Sequence, residues 1–316
     1  MGQHWVLANI DKGERTGRNG ILKLRAIVHS DVSVLPRLMS IPYLPFFEAG
    51  AENIQQDLKC AATTVEQSCL VSLAREVLDN IVEFLDPMDV VCLAMACKHL
   101  FLTYKDNVKA ILEKNLSPWA GGRLICLGDY AESRPDGILT TEEEAELVHH
   151  NSTLYDCVGD YSDYITPIEF IMQRILRSGG DQDTLWACMI GKESDLWPTE
   201  GVIWILRNLD AKEYVRQDGF NKLCQNAPRS PFTPSFGPFV EPVGFGCAIV
   251  SKICWTDDPS GTYGITNGMH GEWAGNRLDV TTLERMEEGF ESSWKDVSTA
   301  VMEQVKRLAD ECGLLP

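Results

Sequence analysis

A short segment of this chain occurs twice, and the repeat constrains the fold more than any other feature of the sequence. Residues 5–14, Trp-Val-Leu-Ala-Asn-Ile-Asp-Lys-Gly-Glu, match residues 204–213, Trp-Ile-Leu-Arg-Asn-Leu-Asp-Ala-Lys-Glu. A second pair follows in the same order, because Trp-Ala-Gly-Gly-Arg-Leu at 119–124 matches Trp-Ala-Gly-Asn-Arg-Leu at 273–278. We call residues 5–14 with 119–124 the first repeat, and residues 204–213 with 273–278 the second repeat. This pattern predicts an internally duplicated unit.

The two repeats differ in their spacing along the chain. The tryptophans are 119 minus 5, or 114, residues apart in the first repeat and 273 minus 204, or 69, in the second. The excess, 114 minus 69 or 45, is about the length of a helical block at 71–115. We therefore predict an α+β fold in which a three-helix module interrupts one copy of the duplicated unit, so that the N-terminal strands pack with the C-terminal domain. The predicted parts are N-terminal strands at 1–50, the module at 66–115 and the rest of the α+β domain at 116–316.

Hydrophobic periodicity supplies the remaining elements. Alternating or continuous apolar runs predict strands at 5–10, 20–28, 123–127, 201–206, 245–254 and 276–280. Residues 11–19 are rich in turn formers and are predicted to form a loop. Start and stop signals predict helices at 142–149, 167–177 and 294–308, the last ending at Gly313. The first of them is opened by Thr140 or Thr141, with a glutamate placed for a capping box. Strands and helices in this mixed order favour the α+β class.

The polar residues of the repeat allow two interpretations. Its Trp, Leu and Asn share one strand face, and the following Asp-x-x-Glu suits a turn. Arg123 and Arg277 are expected to pair with Glu14 or Glu213. In one interpretation the asparagine and the ion pair fix a turn in each copy. In the other the second copy lines a ligand cleft, with residues Asn208, Asp210, Glu213, Arg277 and Asp279.

Residues 71–115 change to a helical period, with apolar side chains recurring every three and four positions. Asp86 followed by Pro87 predicts a helix start, because aspartate caps the first turn and proline fits the first helical position. The block is therefore predicted to contain two short helices joined by a tight corner and a third helix at 106–114. Periodicity alone fits an ordinary helical hairpin in a globular core equally well.

The order of residues 73–98 resembles the F-box motif. The positions that match are Leu73, Glu76, Val77, Leu78, Ile81, Leu85, Asp89, Leu93, Cys97 and Lys98. The usual proline after the first leucine is Ala74 here, and the usual leucine after the aspartate is Val90. The resemblance implies a surface that binds helices of a Skp adaptor, which bridges to a cullin in a ubiquitin ligase. The implied adaptor contacts are Leu73, Val77, Leu78, Ile81, Leu85, Pro87, Met88 and Val91.

The chain as a whole is similar to an uncharacterised family of fungal F-box proteins. The segments that support this are the opening Gly-Gln-His-Trp-Val-Leu-Ala-Asn-Ile-Asp-Lys, residues 204–216, 253–255 and 271–279. The resemblance implies a substrate-receptor subunit with an unknown substrate protein. The C-terminal part lacks leucine-rich, WD40 or kelch periodicity, so the mode of recognition stays open. A small-ligand-binding or enzymatic α+β domain, with the helical block as a structural insert, is the alternative.

Composition narrows the possible partners. With 46 acidic and 28 basic side chains the formal charge is -18, so we expect binding to neither nucleic acid nor anionic membrane surfaces. We also expect no membrane-spanning segment, because no run of 18 uncharged apolar residues occurs. Eleven cysteines in apolar contexts suggest a reducing compartment, hence the cytoplasm or nucleus.

Catalytic and metal-binding motifs are not found. The sequence has no Cys-x-x-Cys pair, no Gly-x-Ser-x-Gly elbow and no phosphate loop. His270, in a glycine-rich context beside Trp273, is the one histidine with site-like neighbours. We therefore predict a non-catalytic protein without cofactor or metal.

Overall fold

The computed structural model describes residues 3–22, 34–44, 47, 70, 72–157, 193–224, 237–239, 243–258, 269–288 and 293–314. The predicted helix at 167–177 and the second half of the predicted strand at 20–28 lie outside these residues. The chain divides into two compact units. Unit 1 comprises Met1–Ile41, Trp119–Tyr164 and Thr199–Pro316, and unit 2 comprises Pro42–Pro118 and Ile165–Pro198. Helices and a mixed sheet both occur, so the fold is α+β.

Unit 1 contains all the strands that the structure describes. They are β1 (His4–Asn9), β2 (Glu14–Leu22), β3 (Gly122–Gly128), β4 (Trp204–Asn208), β5 (Glu213–Arg216), β6 (Cys254–Thr256), β7 (Met269–His270), β8 (Arg277–Thr282) and β9 (Lys295–Asp296). The helices of the described residues, numbered along the chain, are α1 (Val34–Met39), α2 (Arg75–Phe84), α3 (Pro87–Met95), α4 (Lys98–Leu116), α5 (Thr141–His150), α6 (Leu154–Cys157), α7 (Glu193–Leu196), α8 (Asp218–Leu223), α9 (Phe245–Ile253), α10 (Leu283–Glu288) and α11 (Ser298–Cys312). Of these, α2, α3, α4 and α7 belong to unit 2. In the described part of the chain, no helix has the length and apolar character needed to cross a membrane.

The strands form one sheet in the order β2-β1-β3-β8-β4-β5-β9, with β6 beside β3 and β7 beside β6. Pairing is antiparallel except between β3 and β6 and between β5 and β9. The N-terminal strands β1 and β2 therefore share a sheet with β4, β5 and β8 from the C-terminal part. This is the arrangement that the interrupted repeat predicts.

Each repeat forms a hairpin whose turn is flanked by a paired asparagine and glutamate. Asn9 pairs with Glu14 between β1 and β2, and Asn208 pairs with Glu213 between β4 and β5. Four residues separate the members of each pair. The predicted loop at 11–19 is therefore too long, because β2 already begins at Glu14.

The turns of the two hairpins have the same backbone geometry. Their last residues, Gly13 and Lys212, have φ values of 61° and 55°. The side-chain oxygen of the preceding asparagine accepts from the backbone N–H of the third turn residue, at 3.2 Å for Asn9 and 3.0 Å for Asn208. This asparagine-centred turn is the local reason for the Trp-x-Leu-x-Asn pattern.

The sheet has two different faces, because side chains alternate along each strand. On one face, Trp5 of β1 and Trp204 of β4 are buried, and so are the residues two and four positions after each of them. The helix α9 packs against β3, α1 and α11. On the other face, a cluster of Val6, Ala8, Ile125, Leu127, Ile138 and Ala274 packs under the chain that leads into α5. The hydrophobic cores of the two faces thus enclose the sheet around the first repeat.

The predicted strand at 245–254 is wrong over most of its length. Phe245–Ile253 is the helix α9, and the strand β6 begins only at Cys254. Every residue of α9 except Ser251 is buried. An element that is apolar on all sides shows neither the helical nor the strand period, so the pattern could not distinguish the two.

Unit 2 contains the helices that the sequence predicted at 71–115. Asp86 caps α3 by accepting from the backbone N–H groups of Met88 and Asp89, with Pro87 at the first helical position. This predicted start is confirmed. The third helix, α4, spans Lys98–Leu116 and is longer than predicted.

Candidate functional site

Each repeat holds a buried tryptophan through a glutamate of its hairpin. Trp119 donates from Nε1 to Oε2 of Glu14 at 2.7 Å, and Trp273 donates from Nε1 to Oε2 of Glu213 at 3.0 Å. A hydrogen bond to a carboxylate is about twice as strong as one between neutral groups. The bond therefore ties the hairpin to the turn that precedes β3 or β8.

Each repeat also joins an arginine to the aspartate of its turn. Arg123 donates to Asp11 from its backbone N at 2.8 Å and from Nε at 2.6 Å. Arg277 donates to Asp210 from its backbone N at 2.7 Å and from Nε at 2.9 Å. Burial opposes ionisation of Asp210, but the hydrogen bonds from Arg277 outweigh it and lower the pKa of this carboxyl.

The expected pairing of these arginines with Glu14 or Glu213 is wrong. The turn brings the aspartate, two residues after the asparagine, beside the backbone N–H of the arginine, while the glutamate faces the indole. The spacing of the motif identified the right residue types, but strand register decided which carboxylate meets which donor.

Arg123 makes further contacts that Arg277 lacks among the described residues. Arg123 also donates from Nη2 to Oε1 of Glu143 at 2.7 Å and from Nη1 to Oε2 at 3.1 Å and to the carbonyl of Ile138 at 2.7 Å. Glu143 belongs to the capping box that opens α5 with Thr140, as the sequence predicted. The hydrogen bonds from Arg123, with the backbone N–H of Thr140, lower the pKa of Glu143 to about 2.

The residues proposed for a ligand cleft are bonded to other groups of the protein. Asp279 forms a two-pronged pair with Arg207, with distances of 2.8 and 2.7 Å. Glu213 also accepts from Nζ of Lys295 at 3.1 Å, and Asn208 is fully buried beneath its turn. With Asp210 bonded to Arg277, each carboxylate of this set is paired within the protein, as the turn-fixing interpretation expects.

A cavity of about 270 Å³ lies elsewhere, beside the first repeat. Its lining residues are Ile10, Gly13, Leu139, Glu143, Glu146, Leu147, His150 and Leu154. None of the proposed cleft residues lines it. In the described residues there is also no group of three or more His, Cys, Asp or Glu side chains that could hold a metal ion.

His270 forms a small polar cluster at the surface of unit 1. Its ring stacks on Trp255 with centroids 4.2 Å apart, and its Nε2 lies 2.9 Å from Oδ1 of Asp257. Asp257 also accepts from the backbone N and the Oγ of Ser133 at 2.6 and 2.7 Å. The carboxylate lies between the hydroxyl and the imidazole, whereas a hydrolytic triad places the imidazole between the other two. Among the described residues, these contacts give His270 no nucleophile to activate.

The predicted adaptor face lies on α2 and at the start of α3 in unit 2. Leu78 is the one buried residue among the described residues of α2. Val77 and Phe84 of the same helix are 45% and 90% exposed, and Leu73 just before it is 37% exposed. Val77, Ile81 and Phe84 are spaced by four and three residues, so they lie on one side of the helix.

The structure separates the predicted adaptor contacts into two groups. Leu78 and Val91 are buried, at 2% and 1% exposure, and belong to the interior of unit 2. The accessible predicted residues are Leu73, Val77 and Pro87, which are exposed, and Ile81, Leu85 and Met88, which are partly exposed. A partner that docks on the folded unit meets the second group.

No family model, curated protein or solved structure matches this chain.

The sequence interpretation missed the most exposed apolar side chain of the face. Phe84 is not among the positions that match the F-box motif, so the resemblance did not imply it as an adaptor contact. Its position seven residues after Val77 and three after Ile81 is a signal that could have found it. The surface formed by Leu73, Val77, Ile81 and Phe84 is called the α2 face below.

Proposed function

We propose that this protein is a non-catalytic substrate-receptor subunit of a Skp/cullin/F-box ubiquitin ligase. Unit 2 would bind the Skp adaptor, and unit 1 would bind a substrate protein. The F-box pattern of residues 73–98 suggests this role, and the exposed apolar α2 face is the observation that supports it best. The proposal includes a cytoplasmic or nuclear location, which suits a ligase subunit.

The α2 face has the properties of a surface that a partner covers. Phe84 is 90% exposed, and aromatic side chains are enriched at the energetically important centres of interfaces. The apolar stripe has the i, i+4, i+7 spacing typical of helices that dock in a groove. Beneath it, Leu78 fixes α2 to the unit, so the face is presented by a folded helix.

Polar contacts at the start of α2 support a defined orientation of this helix. Arg75 donates to Asp79 at 2.8 Å, and the hydroxyl of Tyr104 on α4 donates to the same carboxylate at 3.0 Å. The Arg75 guanidinium also lies over the Tyr104 ring, 5.0 Å from its centroid. These bonds join α2 to α4 and leave Val77 and Phe84 free to meet a partner.

The proposal also includes the origin of the chain. One α+β unit would have been duplicated, and the helical module would have been inserted into the first copy. The matched hairpins, indole–glutamate bonds and arginine–aspartate pairs of the two repeats support this history.

Co-expression with a Skp adaptor tests the proposed function. We expect the wild type to co-purify with the adaptor and Val77→Asp to lose it, because a charge would be buried in an apolar contact. Val148→Asp is the matched control, since Val148 is also an exposed helical valine but lies in unit 1. Failure of the wild type to co-purify, or equal recovery of a folded Val77→Asp variant, would refute the proposal.

A further inference from the structure

The arginines of the two repeats are neighbours in the sheet. Arg123 of β3 pairs directly with Arg277 of β8. Directly paired residues of antiparallel strands project to the same face, so both guanidinium groups lie on the face that α5 partly covers. The two arginine–aspartate pairs can therefore be compared as equivalent positions with different surroundings.

At the first position a segment of the chain closes over the arginine. Glu143 binds Arg123 with both carboxylate oxygens, and the carbonyl of Ile138 accepts a further bond. The Ile138 side chain packs where Gly275 leaves room, because a Cβ added at Gly275 would lie 2.6 Å from Cγ1 of Ile138. The closing segment thus combines an aliphatic side chain with a glutamate five residues later in the first turn of α5.

At the second position the described residues leave the equivalent space open. In the described part of the chain, the side chain of Arg277 donates to Asp210 alone, from Nε and Nη2. Its side chain is 54% exposed, compared with 20% for Arg123. Among the described residues, an added Cβ at Gly121, the counterpart of Gly275, would have one neighbour, Cδ1 of Leu209 at 3.9 Å.

We propose that this open position is a docking site for a helix of a partner protein. The helix would present a glutamate in its first turn to Arg277 and an aliphatic side chain, five residues earlier, to Gly121. The protein residues of the site are Gly121, Leu209, Lys212 and Arg277. The proposal does not depend on adaptor binding by unit 2.

The occupant follows from charge and from the contacts at the first position. An arginine that already binds an aspartate can still bind a second carboxylate, since Arg123 does so with Asp11 and Glu143. Lys212 is exposed in the same turn as Asp210, with its Nζ 5.0 Å from the centroid of the Trp294 ring, and adds positive charge. Because the whole chain has a charge of -18, a generally acidic partner is repelled. A correctly placed glutamate is therefore the required feature, and acidity as such is insufficient.

A peptide copied from this chain provides a direct test. The probe is a terminally capped, fluorescently labelled peptide with the sequence of residues 136–151, titrated into the full-length protein and followed by anisotropy. We expect the peptide variant Glu143→Gln to bind at least about tenfold more weakly, as expected when a bidentate arginine–carboxylate contact is lost. The variant Glu144→Gln has the same net charge and should bind like the parent peptide, because Glu144 pairs with Arg134 of the chain and not with an arginine of the sheet.

Protein variants locate the site. Arg277→Leu should abolish binding, and Arg277→Lys, which keeps the charge but loses the planar fork, should weaken it by about tenfold. Arg216→Leu is the control, because Arg216 also pairs with an aspartate of unit 1 at a different strand. If Arg277→Leu does not fold, judged by its thermal unfolding, the lysine variant and Leu209→Ser decide the question.

Three results would overturn the proposal. The first is no binding of the parent peptide at about 1 mM, where even a weak specific contact is detected. The second is equal weakening by Glu143→Gln and Glu144→Gln, which would indicate a response to charge alone. The third is binding that Arg277→Leu and Arg277→Lys leave unchanged, which would indicate that the peptide had displaced α5 at Arg123.

Discussion

The phenyl ring of Phe84 offers the sharpest test of the α2 face. Replacing Phe84 by alanine removes the largest apolar side chain of the face without touching the core, because 90% of the residue is exposed in the free protein. We therefore expect the free energy of unfolding to change by less than about 0.5 kcal/mol. The same change at the fully buried Phe101 of α4 should cost about 3 to 5 kcal/mol.

The loss of affinity can be worked from the exposed area. The substitution removes roughly 100 Å² of apolar surface that a bound partner would cover, and at about 25 cal/mol per Å² this is about 2.5 kcal/mol. A change of this size weakens binding by about sixty-fold. The effect should appear mainly in the dissociation rate, since mutations of an interface change the association rate less.

Titration of purified wild-type protein and of the Phe84→Ala variant with a Skp adaptor gives the two dissociation constants. Circular dichroism melts of both proteins show whether the fold is kept. Val148→Ala removes an aliphatic group from α5 at a residue that is 81% exposed and should leave affinity unchanged. A folded Phe84→Ala variant that binds within about threefold of wild type would refute the assignment of this face to the adaptor.

Three further predictions concern the stability of the fold. Leu78→Ala should lower the free energy of unfolding by about 3 kcal/mol in urea titrations, and a loss below about 1 kcal/mol would contradict its interior position. The stabilisation from Glu143 is complete above its ordinary pKa of 4.5 and is lost as the pH falls towards about 2. Melting temperatures of Glu143→Gln should therefore fall less steeply than those of wild type across this range, whereas parallel curves would show that the carboxylate adds nothing. Glu14→Ala and Glu213→Ala each leave a buried indole N–H without its acceptor and should each cost about 1 to 3 kcal/mol by chemical denaturation; effects that differ by more than about 2 kcal/mol would contradict equivalent roles.

Local signals in the sequence predicted local structure well. Thr140 or Thr141, followed by a glutamate, predicted a capping box at the start of α5, and Thr140 and Glu143 form it. Asp86 with Pro87 predicted the start of α3. Gly313 ends α11 in a left-handed conformation, as expected for a glycine after a helix. These features depend on a few consecutive residues whose side chains or conformations act directly on the local backbone. A short sequence pattern is therefore sufficient to predict them.

Contacts between distant segments could not be predicted in the same way. The arginines at 123 and 277 were assigned to the wrong carboxylates because the partner depends on the register of paired strands and on the exact turn. Trp294 was expected in the stripe of α11, but that helix begins at Ser298, and the Trp294 ring lies instead over Arg207, 5.4 Å from its guanidinium carbon. At the proposed adaptor site, the motif identified the apolar residues of α2 and α3. It could not show that Leu78 and Val91 face inward, since burial depends on how the segments of unit 2 pack.

The sheet of unit 1 sets an order on how the chain can fold as it is made. Trp5 and the rest of β1 are synthesised before their neighbour β3, which follows more than 110 residues later, and β3 must in turn pair with β8, which comes later still. Local contacts form fastest. The contiguous helices of 75–116 make mostly such contacts and can therefore form before β1 pairs with β3. During synthesis the apolar N-terminal strand is therefore exposed for most of the time, and we expect ribosome-associated chaperones to bind it and C-terminal truncations to aggregate through it.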